Sequence, residues 1–197
     1  MYMLVKEIRH VSVDELTSIL RDKIGEMEES LSSAEQFTMH GQNKWFVKYI
    51  LSRMTSYIEQ ASGMGTLFDK YYYNKLGKPY EIEHIWADKF VRHRDEFEQE
   101  NEFSRYRNRL GALILLPRGT NQSYNDLPYE EKQPHYIGEN LLARSLCADA
   151  YSKNPNFLNM IKETNLPFMS HETFKKQDID MRSKLYSEII DLIWGEF

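Results

Sequence analysis

The chain has 197 residues, 25 basic and 30 acidic, with a net charge of −5 that argues against generic nucleic-acid binding. It is 41% apolar and 13% aromatic, enough to build a core, and its length fits one compact domain or one domain with a helical extension. No apolar run approaches the roughly 18 residues that span a membrane, the charged start MYMLVKEIRHVSVDEL lacks the apolar block of a secretion signal, and the lone Cys147 excludes an internal disulfide, so a cytoplasmic protein is expected.

Ser12-Val13-Asp14-Glu15 reads as a capping box. Behind it Val13, Leu16, Ile19, Leu20, Ile24, Met27 and Leu31 recur at helical spacing. A second helix is expected from Asn43 to Gln60, and a short one from Leu67 to Leu76. After Gly77-Lys78-Pro79 the run YEIEHIW is β-prone. Asp88 to Arg109 reads as a polar, partly helical connection. Leu110 to Leu116, ended by Pro117, reads as a buried strand. Thr120 or Asn121 then opens a helix in the polar segment up to Lys132. Helices are expected over Glu139–Ser152, where Cys147 is a small buried thiol, from Pro155 to Lys162, and after Asp178 as cap. The expected organisation is a helical region 1–78, a core at 79–133 and a helical region 134–197 packed on it. The fold class is α+β and mostly helical.

Glu83-His84 sits in the first β-prone run, where charge is excluded unless it is paired or binds a metal. A second strand and a helix carrying Asn121 follow. Acid–His on a strand, then strand, then helix with asparagine, is the layout of a one-metal phosphodiesterase site. Imidazole, with a pKa of about 6.5, accepts a proton from water at physiological pH. A hard cation takes carboxylate and amide oxygen, which Glu83 and Asn121 supply. Neighbours on a regular strand face opposite ways, so the pair serves one site only if the strand bends or ends there. Bland readings stand beside this one. His84 is a hydrogen-bonded strand histidine, Glu83 pairs with an arginine from the 105–109 cluster, Asn121 is a helix N-cap, and Asn125 serves a turn or a cap. Arg105, Arg107, Arg109 and Arg118 lie in an acid-free stretch; they hold a phosphate backbone or form a solvated face.

The segments EHIWADKF and NRLGALILLPRGTNQSYNDLPYEEK resemble the HNH (His-Me finger) nuclease domain at the C-terminus of GmrSD-type modification-dependent (type IV) restriction enzymes. The matched block runs from Tyr80 to Lys132, and RSKLYSEIIDLIWG is similar to the family's closing helix. The resemblance implies a ββα-metal core, His84 as general base, Glu83 and Asn121 as ligands of Mg2+, Mn2+ or another divalent cation, and Asn108 and Asn125 in support. It implies phosphate contacts by Arg105, Arg107, Arg109, Arg118 and Lys132 on double-stranded DNA, including modified DNA. It also implies an N-terminal nucleotide-hydrolysing sensor domain in an anti-phage restriction system. No Gly-rich phosphate loop occurs here, so the chain is expected to be the nuclease portion of a longer protein. Ala87 and Ala112 stand where the pattern has proline and asparagine, Leu127-Pro128-Tyr129 where it has a phenylalanine region, and Glu83 is one methylene longer than the aspartate of many such sites. Two rival functions remain open: a nucleic-acid-binding module with an inactive site, and a helical interaction domain unrelated to DNA.

Overall fold

The structure, a computed structural model, describes residues 6–25, 31–65, 67–73, 77–124 and 126–195; of residues 23–25, 31–33 and 121–123 it describes the backbone alone. The architecture is α+β and mostly helical.

Helix α1 (Val13–Gly25) opens on the expected capping box: Glu15 Oε2 accepts from Ser12 N at 2.9 Å and Ser12 Oγ from Glu15 N at 3.3 Å. The expected continuation through Met27 lies outside the described residues. Helix α2 (Lys44–Ala61) buries Val47, Ile50, Leu51, Met54 and Ile58, one apolar stripe at helical spacing. Helix α3 (Phe68–Tyr72) covers only the first part of the expected Leu67–Leu76 helix, whose last three residues lie outside the described set.

Strand β1 (Tyr80–His84) pairs antiparallel with β2 (Leu113–Pro117), with Glu83 opposite Ile114 and His84 opposite Leu113. Between them lie a 3₁₀ turn, Phe90–His93, and helix α4 (Glu100–Arg107). Acids in the first turn of α4 and arginines in its last complement the helix dipole. β2 runs directly into α5 (Arg118–Tyr124), so the helix opens before the expected Thr120, and Asn121 lies inside it rather than capping it. Helix α6 (Tyr129–Tyr136) follows Pro128, which holds extended backbone there and divides the polar segment.

The single helix expected over Glu139–Ser152 is two pieces, α7 (Leu141–Arg144) and a 3₁₀ turn, Ala148–Tyr151. The Leu146 carbonyl, which a continuous helix would use, accepts instead from His171 N at 3.0 Å and Gln133 Nε2 at 3.3 Å. Cys147 is buried there, as expected, and burial pushes its thiol up to about 11. Helix α8 (Pro155–Thr164) precedes α9 (Lys176–Trp194). Asp178 is the third residue of α9 rather than its N-cap, and its Oδ2 accepts from Lys175 N at 2.7 Å.

The sheet lies between two apolar clusters. Leu113 and Leu115 enter one with Val47, Leu51, Leu185 and Ile189; Ile114 and Leu116 enter the other with Trp86, Phe103, Tyr136 and Ile179. Burial on both faces explains the unbroken run LILL. The strand starts later than expected because Leu110–Ala112 forms a 3₁₀ turn against α9. A Cβ on Gly111 would stand 2.5 Å from Ser183 N, so only glycine allows this approach. Among the described residues no helix is long and apolar enough to cross a membrane.

Candidate active site

β1 ends at His84, and the chain leaves the ladder after Ile85 N donates to Ala112 O at 2.9 Å. That ending resolves the pleat problem. Glu83 and His84 both line one cavity of about 190 Å³, together with Lys44, Arg107 and Lys132.

The His84 ring has a defined tautomer. Asn108 Nδ2 donates to Ser104 O at 2.8 Å, which turns Asn108 Oδ1 toward His84 Nε2 at 2.9 Å. An amide oxygen only accepts, so Nε2 carries the proton and Nδ1 keeps its lone pair. Burial, and then the nearby Arg107 guanidinium, lower the imidazole to about 4. The ring is neutral at physiological pH. Asn108, expected in a supporting role, braces Ser104 and orients the imidazole. Its backbone carbonyl also accepts from Met39 N at 2.7 Å.

Glu83 does not pair with the 105–109 arginines. Lys132 Nζ donates to Glu83 Oε1 at 2.6 Å and to the His84 carbonyl at 2.9 Å. The two side chains are 1% and 5% exposed. Burial pushes the Glu83 carboxyl up and the Lys132 ammonium down, and the opposite charge of each resists the other's shift. Lys132, expected as a phosphate contact, is thus a buried counter-ion that also lines the cavity.

The remaining expected residues separate by burial. Arg109 is 4% exposed; its guanidinium donates to the Glu35 carbonyl at 3.2 and 2.7 Å and pairs with Asp180. It holds α9 to the segment before α2, which removes it from the expected phosphate patch. Arg118 is exposed but tied to Glu81 Oε1 at 2.8 Å. Arg105 is exposed on α4. Arg107 donates through Nε to Trp86 O at 3.1 Å. α5 carries Asn121 away from the end of β2, but the side chain of Asn121 and the whole of Asn125 lie outside the described residues. Lys44 escaped sequence reading: forty positions before His84, it has no local pattern to mark it, beyond opening α2 after the turn Gly41-Gln42-Asn43.

No group of three or more His, Cys, Asp and Glu side chains suited to a metal occurs among the described residues. The cavity offers one carboxylate, Glu83, a hard oxygen donor that suits Mg2+ or Mn2+. It offers neither thiolate nor a second imidazole for a closed zinc site. The chemistry of this donor set is that of a hard cation and not of a closed protein cage, and one of its two oxygens, Glu83 Oε1, already accepts from Lys132.

The protein is mostly helical α+β, and one cavity holds an oriented neutral histidine and one carboxylate among three cations. Residues 24–189 match the family described as GmrSD restriction endonucleases, C-terminal domain. The chain belongs to that family, as its motifs led one to expect. The family is one of restriction endonucleases, which implies nuclease chemistry and DNA as the substrate. No curated protein and no solved structure matches the chain.

Proposed function

We propose that this chain is a metal-dependent DNA endonuclease module of the HNH type, with residues Tyr80 to Lys132 as its ββα-metal unit. The observation that carries the reading is the Ser104–Asn108–His84 chain of hydrogen bonds, which leaves Nδ1 of a neutral, cavity-lining imidazole as acceptor. His84 Nδ1 takes the proton from a water in the cavity, and the resulting hydroxide attacks phosphorus as the 3′ oxygen departs. A base lowered to about 4 is weak. An incoming phosphate anion opposes the effect of Arg107 and strengthens it as substrate binds. Glu83 would hold the cation, with Asn121 as a further oxygen donor. A divalent ion held there would supply charge stabilisation to the phosphoryl oxygens. Arg105, Arg107 and Arg118 hold the backbone, so binding falls steeply with salt and shows little sequence preference.

In this reading the module cuts DNA in the cytoplasm for a modification-dependent anti-phage system, and a nucleotide-hydrolysing sensor domain selects the target. Nicking of supercoiled plasmid in Mg2+ or Mn2+, abolished by EDTA and by His84→Ala, tests it. One observation favours a second reading, a DNA-binding module with a silent site: the Lys132 ammonium already occupies Glu83 Oε1. Salt-sensitive binding without nicking under any of these metals would select it.

A further inference from the structure

We propose that the cavity beside His84 seats a single backbone phosphate between Lys44 and Arg107, which makes Lys44, from a helix outside the β1–β2–α5 unit, a direct substrate contact. The inference rests on the nuclease reading only in taking nucleic acid as the ligand.

Charge is the first argument. The cavity gathers three cations, Lys44, Arg107 and Lys132, around one carboxylate and a neutral imidazole. Lys132 and Glu83 satisfy each other at 2.6 Å. Lys44 and Arg107 form no ion pair among the described residues, although Asp88 and Glu83 are near enough to act on Arg107 electrostatically. Two cations left over in a polar cavity of about 190 Å³ describe a place for an anion with its water, not for an apolar ligand.

Geometry is the second. The bond from Arg107 Nε to the Trp86 carbonyl, 3.1 Å, fixes the guanidinium and leaves its terminal amino groups as a fork for two phosphate oxygens. Lys44 is exposed and brings three donors. It is the first residue of α2, whose N-terminal dipole also favours an anion.

The mounting is the third. The segment leading to Lys44 is stitched to the residues that hold His84. Met39 N donates to Asn108 O at 2.7 Å and Leu110 N to Phe37 O at 3.0 Å. Asn43 Nδ2 donates to Thr38 O at 3.0 Å, and Asn43 Oδ1 accepts from His40 N at 2.8 Å, which closes the turn before α2. Asn108 is therefore bonded both to the imidazole and to the segment that carries Lys44. The spacing between seat and base is set by backbone hydrogen bonds, not by a flexible loop.

The test is equilibrium binding of a short fluorescein-labelled DNA duplex to the full chain in EDTA, across a salt series, with inorganic phosphate as competitor. Lys44→Gln is expected to weaken binding several-fold and to reduce the slope of log affinity against log salt by about one. Lys44→Arg should restore most of the affinity, and phosphate should compete less well against Lys44→Gln. The exposed position of Lys44 keeps the fold out of the result, which equal melting temperatures would verify. Unchanged affinity and slope in Lys44→Gln would overturn the seat, and the nuclease reading would survive if that variant nicks plasmid at the full rate. Lys44-dependent binding by a protein that nicks nothing under any metal would keep the seat and remove the nuclease. A wild-type chain that binds no duplex would overturn the seat outright.

Discussion

Lys132 Nζ lies 2.6 Å from Glu83 Oε1, and the same ammonium holds the backbone carbonyl of His84 at 2.9 Å. A residue of α6 thus clamps the last two residues of β1, and it does so out of water, where an ion pair is costly to split. Lys132→Met leaves a buried carboxylate without its partner and is expected to cost about 3–5 kcal/mol in urea denaturation. The double substitution with Glu83→Leu should recover a large part of that loss. Strictly additive single effects would contradict the pairing.

Asn108→Ala removes the acceptor that fixes the His84 tautomer. Losses of this kind, in groups that orient a reacting histidine, run at about 10–100-fold. The expected outcome is a fall of that size in kcat, with duplex affinity nearly unchanged. A change confined to KM would place Asn108 in substrate binding instead.

Protonation of His84 links pH to stability. Its folded-state value of about 4 lies below the ordinary 6.5, so the unfolded chain binds more protons between those values. The stability this site confers is complete above about 6.5 and is lost as pH falls toward about 4. Allowing for partial exposure, the loss is about 1–3 kcal/mol. Denaturation in EDTA should show this acid-side fall in the wild type and a shallower one in His84→Gln. Parallel pH profiles would count against a buried neutral ring.

These outcomes rest on parts of the molecule that sequence exposed unequally. The strands and the burial of LILL follow from local patterns, which act over a few residues. That β1 stops at His84, while the β-prone run YEIEHIW continues to Trp86, does not follow from them. The partners do not. Lys132 meets Glu83 from 49 positions away, and Arg109 meets Asp180 from 71. A lysine bound inward reads in sequence like a solvated one. Helix α4 was only partly legible because Phe103 is its single buried residue, too little to show a period. The break in 139–152 depends on His171, which claims the Leu146 carbonyl from another segment.

Gly111 tests the packing of the turn before β2. Gly111→Ala would place a methyl 2.5 Å from Ser183 N, so α9 or the turn must shift. A loss of about 1–3 kcal/mol is expected, read as a lower melting temperature. An unchanged melting temperature would mean that the two segments do not approach so closely.

Arg105 and Arg109 should behave as opposites. Arg109→Gln, which removes a buried guanidinium from its bonds to the Glu35 carbonyl and the half-exposed Asp180, should cost about 1–3 kcal/mol of stability and leave the salt slope of duplex binding alone. Arg105→Gln should leave stability alone and lower that slope. The reverse pattern would contradict the separation of the arginines into one that folds the protein and one that meets DNA.

The decisive measurement is single-turnover cleavage of a labelled duplex by wild type and His84→Ala, each saturated with duplex and with Mg2+ or Mn2+. Loss of the proton acceptor should slow the cleavage step by about 100-fold or more while duplex affinity holds. Cleavage by His84→Ala within a few-fold of the wild-type rate would take the chemistry away from this imidazole and from the cavity it lines.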